Sequence, residues 1–301
     1  MPDIALWHRC NNNCVMCTNP DEFFEAAGKS YTLARQREKL ERYLSGEFDV
    51  YFKNTRLDDY FLLTGGEPTL HPQVLELMAF FRRRAGSREL RVLSNGRRFC
   101  YRDFTAEFLR RAGRPLLTAV ALHAATARAH DAVTRVRGSF AQTAAGLRNL
   151  LELRGRGQEV EVRVILHAKT LAGLPALLRF LRRGFGDPSA YRLTLIYFEV
   201  EGQSEKNLRR LFVPLSRVAR VLAKQRGLLA AFPRLELYHF PLCVLAAELR
   251  PNARVTLPRS DRVYPPVCRR CPAKSRCLGL MKWYEALHGD GELSALKRGE
   301  A

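Results

Sequence analysis

The chain has 301 residues, 47% of them hydrophobic, with 50 Lys and Arg against 30 Asp and Glu. That apolar share excludes a disordered chain and supports one substantial core with a small appendage. Nowhere do eighteen apolar residues run together, and the N-terminal apolar run over residues 4–7 is too short for a signal peptide. A cytoplasmic protein with no membrane partner is therefore expected.

In chain order, residues 4–7 read as a buried first strand that ends at His8 and Arg9. Residues 21–31 read as irregular, and residues 33–44 as a helix with Leu33, Leu40 and Leu44 on its apolar face. A second strand spans 60–63, followed by a helix over 74–81 with Arg82, Arg83 and Arg84 near its negative end. A third strand over 90–93 runs into Ser94, Asn95 and Gly96, and the next helix, 104–112, stops at Gly113. A fourth strand over 116–122 ends at His123, and a helix over 140–153 carries the stripe Leu147, Leu150 and Leu151. A fifth strand at 160–166, a helix at 174–181 and a sixth strand at 193–198 complete the alternation. Six strand–helix units imply an α/β protein with a parallel sheet and right-handed crossovers, a partial (β/α)6 barrel of the TIM type. Such folds place their sites at the C-terminal ends of the strands.

Residues 215–229 read as one more helix, after which Pro233, Pro241, Pro251, Pro258, Pro265 and Pro266 interrupt the chain and periodicity is lost. A stretch of that kind needs another source of order, and a metal is the natural candidate. Eight cysteines in a chain without an export signal point the same way. Seven fall into two groups, Cys10, Cys14 and Cys17, and Cys243, Cys268, Cys271 and Cys277, while Cys100 stands alone. The net charge, 50 − 30 = +20, would attract nucleic acid in a salt-dependent way. The arginines, however, come as helix-punctuating pairs and triples such as Arg110 and Arg111 or Arg182 and Arg183, which favours a solvated outer ring over one binding patch.

The first cysteine group has the spacing C-x3-C-x2-C in a loop just past the first strand, and its three intervening asparagines favour tight turns over a regular helix. Soft thiolates select zinc or iron–sulfur clusters. Structural zinc normally closes with four protein ligands, whereas three cysteines on a [4Fe–4S] cluster leave one iron open. The alternative is a zinc ribbon beside an unrelated glycine turn.

Together with Thr64, Gly65, Gly66, Glu67 and Pro68 after the second strand, this spacing resembles the radical S-adenosylmethionine superfamily. The resemblance implies the same six-unit partial barrel over residues 1–205, a cluster on Cys10, Cys14 and Cys17, and S-adenosylmethionine on its open iron, cleaved to a 5′-deoxyadenosyl radical. An external electron donor such as flavodoxin or ferredoxin is implied as a partner. Thr64 to Glu67 would lie at the cofactor, with Gly65 and Gly66 admitting the methionine ammonium and Glu67 supplying a charge. Ser94, Asn95 and His123 resemble the family's polar cofactor contacts, the alternative being ordinary turn residues. Met16 stands where the family commonly has an aromatic residue near the adenine. The fifth strand, with Val164, Ile165, Leu166 and His167, lacks the family's glycine-rich adenine motif.

Cys268, Cys271 and Cys277 follow C-x2-C-x5-C, the core of the auxiliary extensions called SPASM and twitch. With Cys243 they offer four ligands for one closed auxiliary [4Fe–4S] cluster, making two clusters in all; four-thiolate zinc is the alternative. Residues 206–232 would then be a linking helix and 233–301 a twitch-like region. Cys100 reads first as a small buried hydrophobe and second as a hydrogen-atom donor. Glu199, Glu201 and Gly202 are expected to face the substrate. The expected function is an oxidoreductase abstracting hydrogen from a peptide or natural product, leading to cross-linking, epimerisation or oxidation. A nucleotide- or RNA-modifying radical enzyme and a non-enzymatic metal-binding regulator are the alternatives.

Overall fold

The computed structural model describes residues 3–45 and 60–299. Its main sheet contains β1 (Asp3–Trp7), β2 (Tyr60–Gly65), β3 (Glu89–Ser94), β4 (Leu116–Ala121), β5 (Gln158–Leu166), β6 (Arg192–Tyr197), β7 (Leu235–Tyr238) and β8 (Ala253–Arg254). The order across the sheet is the order along the chain, with β1 and β8 at its ends, the open arrangement of a partial barrel. Pairing is parallel from β1 to β4 and from β6 to β8. Among the described residues the sheet thus has two strands more than the alternation predicts. In β7 only Leu235 and Leu237 are buried, and β8 is two residues long, too little pattern to announce a strand among the prolines.

The chain divides into two compact units, one comprising residues 1–122, 126–162 and 201–203, the other 123–125, 163–200 and 204–301. In the first, β3 alternates half-buried Glu89 and Arg91 with buried Leu90 and Val92, while β4 is buried almost throughout. Helices Leu33–Leu44, Val74–Ala85, Arg102–Ala112 and Ser139–Leu153 stand close to their expected spans. Two further helices, Asp21–Glu25 and Ala127–Thr134, appear where no helix was expected. The buried face of Leu33–Leu44 carries Gln36 and Tyr43 beside Leu40, while Leu33 and Leu44 of the expected stripe are only half-buried. Gln36 is fully buried because its amide donates to the Ala5 carbonyl and the Leu6 carbonyl of β1, both at 3.2 Å. A polar side chain satisfies backbone groups at the sheet's end that an apolar one would leave bare.

Past the end of β1 the backbone stays in contact with the turn after β2. Gly66 N donates to Trp7 O at 2.8 Å and Glu67 N to Arg9 O at 2.9 Å. A Cβ on Gly65, which has φ +125°, would stand 2.4 Å from Trp7 O, and one on Gly66 2.4 Å from Arg9 O. Glycine is required here by the approach of two backbones.

In the second unit the expected helix over 215–229 is two, Leu215–Lys224 and Arg226–Leu229. They part at Gln225, whose N–H is shared between the carbonyls of Val221 and Leu222, just before the weak helix former Gly227. Tyr197 at the end of β6 stacks on Trp283 of the helix Lys282–His288, with ring centroids 6.0 Å apart.

Two predictions follow from this packing. Gly66→Ala should cost more than about 1 kcal/mol of stability, because either the turn or the cysteine-bearing backbone must move; a thermal midpoint equal to the wild type would refute it. The second concerns His130, His167 and His239, which burial pushes down to about 4, about 3 and about 4. Below the ordinary histidine value near 6.5 the unfolded chain takes up protons that the folded chain refuses. Stability should therefore fall as pH drops from about 6.5 towards 4. Thermal midpoints across that window should decline less steeply in His130→Gln than in the wild type.

Candidate metal and cofactor centres

The loop bearing Cys10, Cys14 and Cys17 is held on every side within the first unit. Asn13 N and Val15 N donate to Thr134 O and Val133 O, each at 2.9 Å, resting the loop on the end of helix Ala127–Thr134. Cys17 N donates to Cys14 O at 3.2 Å, and Cys17 O accepts from Gln203 N at 2.8 Å. The Arg97 guanidinium donates to the carbonyl of Asn11, to Asn12 Oδ1 at 3.0 Å and to Gln142 Oε1 at 2.7 Å. Asn12 N donates to Cys10 Sγ at 3.3 Å, and Asn95 Nδ2 reaches Asn11 Oδ1 at 2.6 Å and Cys10 Sγ at 3.8 Å.

Burial is the main cause that pushes all three thiols up, Cys10 to about 11. Glu67 and Cys17 add to the rise at Cys10, and Cys10 and Cys17 add to it at Cys14, where Arg135 acts in the opposite direction. Thiols that raise one another lie close enough to repel once ionised, so a cationic centre is what lets them ionise together. Among the described residues no three His, Cys, Asp or Glu side chains are spaced to hold a metal ion. A [4Fe–4S] cluster seats each thiolate on its own iron, a wider spread than ligands around one ion.

Thr64 is half-buried at the end of β2, and the glycine pair that follows serves the β1 backbone, as described above. Glu67 is 1% exposed. Its Oε1 accepts from Thr69 N at 3.1 Å, Thr69 Oγ1 at 2.6 Å and Ser94 Oγ at 2.8 Å, and its Oε2 from Asn95 N at 2.6 Å. Burial pushes its carboxyl up and these donors pull it down. Ser94 is buried, giving its hydroxyl to Glu67 and accepting from Gly96 N at 2.9 Å. Glu67, Ser94, Asn95 and Cys10 therefore form one network. Met16 is buried beside Cys17 in the sequence. Cys100 is half-buried at the end of the 3-10 turn Arg97–Cys100, with its carbonyl accepting from Asn149 Nδ2 at 3.1 Å and its thiol pushed up by burial. Sequence reasoning missed Arg97, one arginine among many, whose contacts with the cysteine loop lie more than eighty residues back along the chain.

Gly202 and Glu201 belong to the first unit. Gly202, at φ +54°, would place a Cβ 2.5 Å from Asn19 O, so it too accommodates backbone close to the cysteine loop. His123, two residues beyond β4, is buried in the second unit, as is His167 at the end of β5. Glu199 follows β6 and pairs with His239, which follows β7, at 3.3 Å. His239 has φ +68°, and its Nδ1 lies 2.9 Å from Tyr197 O. Since a carbonyl only accepts, Nδ1 carries a proton towards Tyr197 O, and Nε2 faces the Glu199 carboxyl. Burial lowers His239 and raises Glu199. No motif could have shown this pair, forty residues apart in sequence.

Cys243, Cys268, Cys271 and Cys277 line one small concavity with Leu242, Ala273 and Leu296 among its walls. Cys277 Sγ accepts from Leu242 N at 3.3 Å and from Gly279 N at 3.4 Å. Burial pushes Cys268 up to about 11, with Cys243, Cys277 and Cys271 adding to the rise. Four thiols converge here in an apolar pocket with backbone donors already aimed at sulfur.

The sequence profile of the Radical SAM superfamily matches residues 4–181. In fold the chain is similar to SuiB of Streptococcus suis bound to the precursor peptide SuiA, at 12% identity and a TM-score of 0.57 over 78% of this chain and 48% of that one. It is similarly close to SuiB bound to S-adenosylmethionine, at 13% identity and a TM-score of 0.55 over 78% and 50%. A radical SAM methyltransferase from Sphaerobacter thermophilus aligns at 15% identity and a TM-score of 0.52 over 78% and 64%. At such identities the likeness is one of fold, and the chain spans about half the length of SuiB. No curated protein matches it in sequence. Because the matched span covers more than half of the chain and contains both the C-x3-C-x2-C loop and the G-G-E-P turn, the chain belongs to the Radical SAM superfamily, enzymes that work with S-adenosylmethionine and a [4Fe–4S] cluster.

Proposed function

We propose that this enzyme generates a 5′-deoxyadenosyl radical and uses it to abstract hydrogen from a C–H bond of a peptide or natural-product substrate, with an auxiliary [4Fe–4S] cluster in its C-terminal region. The observation that carries the reading is the convergence of Cys10, Cys14 and Cys17 on a loop locked to the Glu67 and Asn95 network. When bound, the first cluster supplies the electron that cleaves the sulfonium, and S-adenosylmethionine supplies the radical. The chain's own part is to hold and orient. The three cysteines hold the cluster, Asn12 N and Asn95 Nδ2 donate to the Cys10 sulfur, and Arg97 fixes the loop's shape from outside. Donors of this kind orient a metal ligand and stabilise it as the thiolate. Met16, Thr64, Gly65, Gly66, Ser94 and Asn95, all of the first unit, are assigned to the cofactor's surroundings, Glu67 acting chiefly as the brace.

The second group suits one closed cluster, with four thiolates, an apolar wall and two N–H donors on Cys277. A peptide substrate is favoured by fold similarity to SuiB, which was solved with its precursor peptide. The net charge of +20 favours the RNA-modifying alternative, and a steep inverse salt dependence of RNA binding would bring it forward. Among the described residues no helix is long and apolar enough to cross a membrane.

Reduced with dithionite after anaerobic reconstitution, the protein should cleave S-adenosylmethionine to 5′-deoxyadenosine, and Cys14→Ala should abolish this. Undiminished cleavage in that variant would defeat the assignment. The intact chain should carry about eight irons, and the combined Cys10→Ala, Cys14→Ala and Cys17→Ala variant about four. Cys271→Ala should lower the thermal midpoint by several degrees or more, since a group that binds only the folded state stabilises it. Zinc without iron in the triple variant would reduce the second group to a structural clasp.

A further inference from the structure

The helix Ala127–Thr134 carries the cysteine loop on its C-terminal end through the paired bonds to Thr134 O and Val133 O. On the same element, and in the turn that follows it, a concavity is lined by Arg128, Asp131, Arg135 and Arg137. All three arginines are exposed. Beside them Asp131 accepts from Gly138 N at 2.7 Å, Ser139 Oγ at 2.8 Å and Phe140 N at 2.9 Å, so three positive charges share the concavity with one negative. Those bonds fix the turn that presents Arg135 and Arg137. Arg135 adopts φ +57°, a conformation rare for a side chain of its kind, so the turn is held against local strain. The field of Arg135 also reaches Cys14. One basic surface therefore lies directly behind the loop that holds the cluster ligands.

We propose that this arginine-lined concavity is the docking surface for an acidic redox protein that delivers electrons to the cluster on Cys10, Cys14 and Cys17. The inference rests on the function proposed above. Each cleavage consumes one electron: the donor protein is oxidised by one electron, the cluster gains it, and no bond or proton changes hands in the transfer itself. An acidic partner is what this surface fits, for the arginines supply complementary charge at the point where the backbone path to Cys14 is only a few bonds long. The chain's excess of positive charge brings such a partner in from a distance.

The test uses reconstituted holoenzyme with flavodoxin, an acidic flavoprotein, as the probe. Arg128→Glu combined with Arg137→Glu reverses two charges and leaves Arg135, whose field reaches Cys14, in place. Flavodoxin binding, followed by titration at low salt, should weaken at least about tenfold, and its salt dependence should become shallower. Cleavage driven by flavodoxin should fall in step while cleavage driven by dithionite stays at the wild-type rate. The same reversal at Arg182 and Arg183, exposed elsewhere on the chain, should leave binding unchanged. Wild-type binding in the Arg128 and Arg137 variant, or equal weakening in the Arg182 and Arg183 control, would overturn the docking surface. Failure of the wild type with dithionite would instead overturn the enzymatic reading, and this surface's role with it.

Discussion

A single buried carboxylate, that of Glu67, ties the ends of β2 and β3 together and reaches the first cysteine through Asn95. Four donors converge on it, two from Thr69 and one each from Ser94 and Asn95. Hydrogen bonds to a charged acceptor contribute about 1.5–3 kcal/mol each, and a donor stranded in a buried site costs a similar amount. Glu67 is thus less a free charge awaiting a cofactor than the knot that fixes where Asn95, and hence the asparagine-rich loop, can stand. Its backbone contributes as well, through the bond from Glu67 N to Arg9 O one residue before Cys10.

The two cysteine groups achieve convergence by different physics. The first is organised by backbone hydrogen bonds and by the Arg97 fork, with glycines at 65, 66 and 202 letting main chains touch. The second sits in an apolar pocket in which Leu242, Ala273 and Leu296 pack together with half-buried Cys243, Cys271 and Cys277 around it. There the surrounding elements are 3-10 turns and two-residue strands, which have little cohesion of their own. A group held by strong ligation suits such a region because it replaces the core that short elements cannot build.

The family, and the residues that are candidates for its first site, were legible in the sequence because they depend on local pattern. A C-x3-C-x2-C loop after an apolar run, and G-G-E-P after another, are short motifs whose chemistry lies in residue type and spacing, and the strand–helix alternation up to residue 198 follows from hydrophobic period alone. The glycine pair is legible as a turn, but nothing in the sequence indicates that Arg9 O would stand 2.4 Å from a Cβ on Gly66. β7 and β8 were missed because four and two residues cannot carry a period.

What the sequence determined by itself was the family, through its two short motifs, and the alternation of strands and helices, both properties of neighbouring residues. Only the tertiary structure decided that Gln36 would be buried to serve β1, that Arg97 would clamp a loop more than eighty residues away, and that Glu199 would meet His239. Each of these is a polar group whose position is set by which partner's unsatisfied charge or backbone atom it must answer. Such partners are fixed by the folding of distant segments onto one another and not by local spacing.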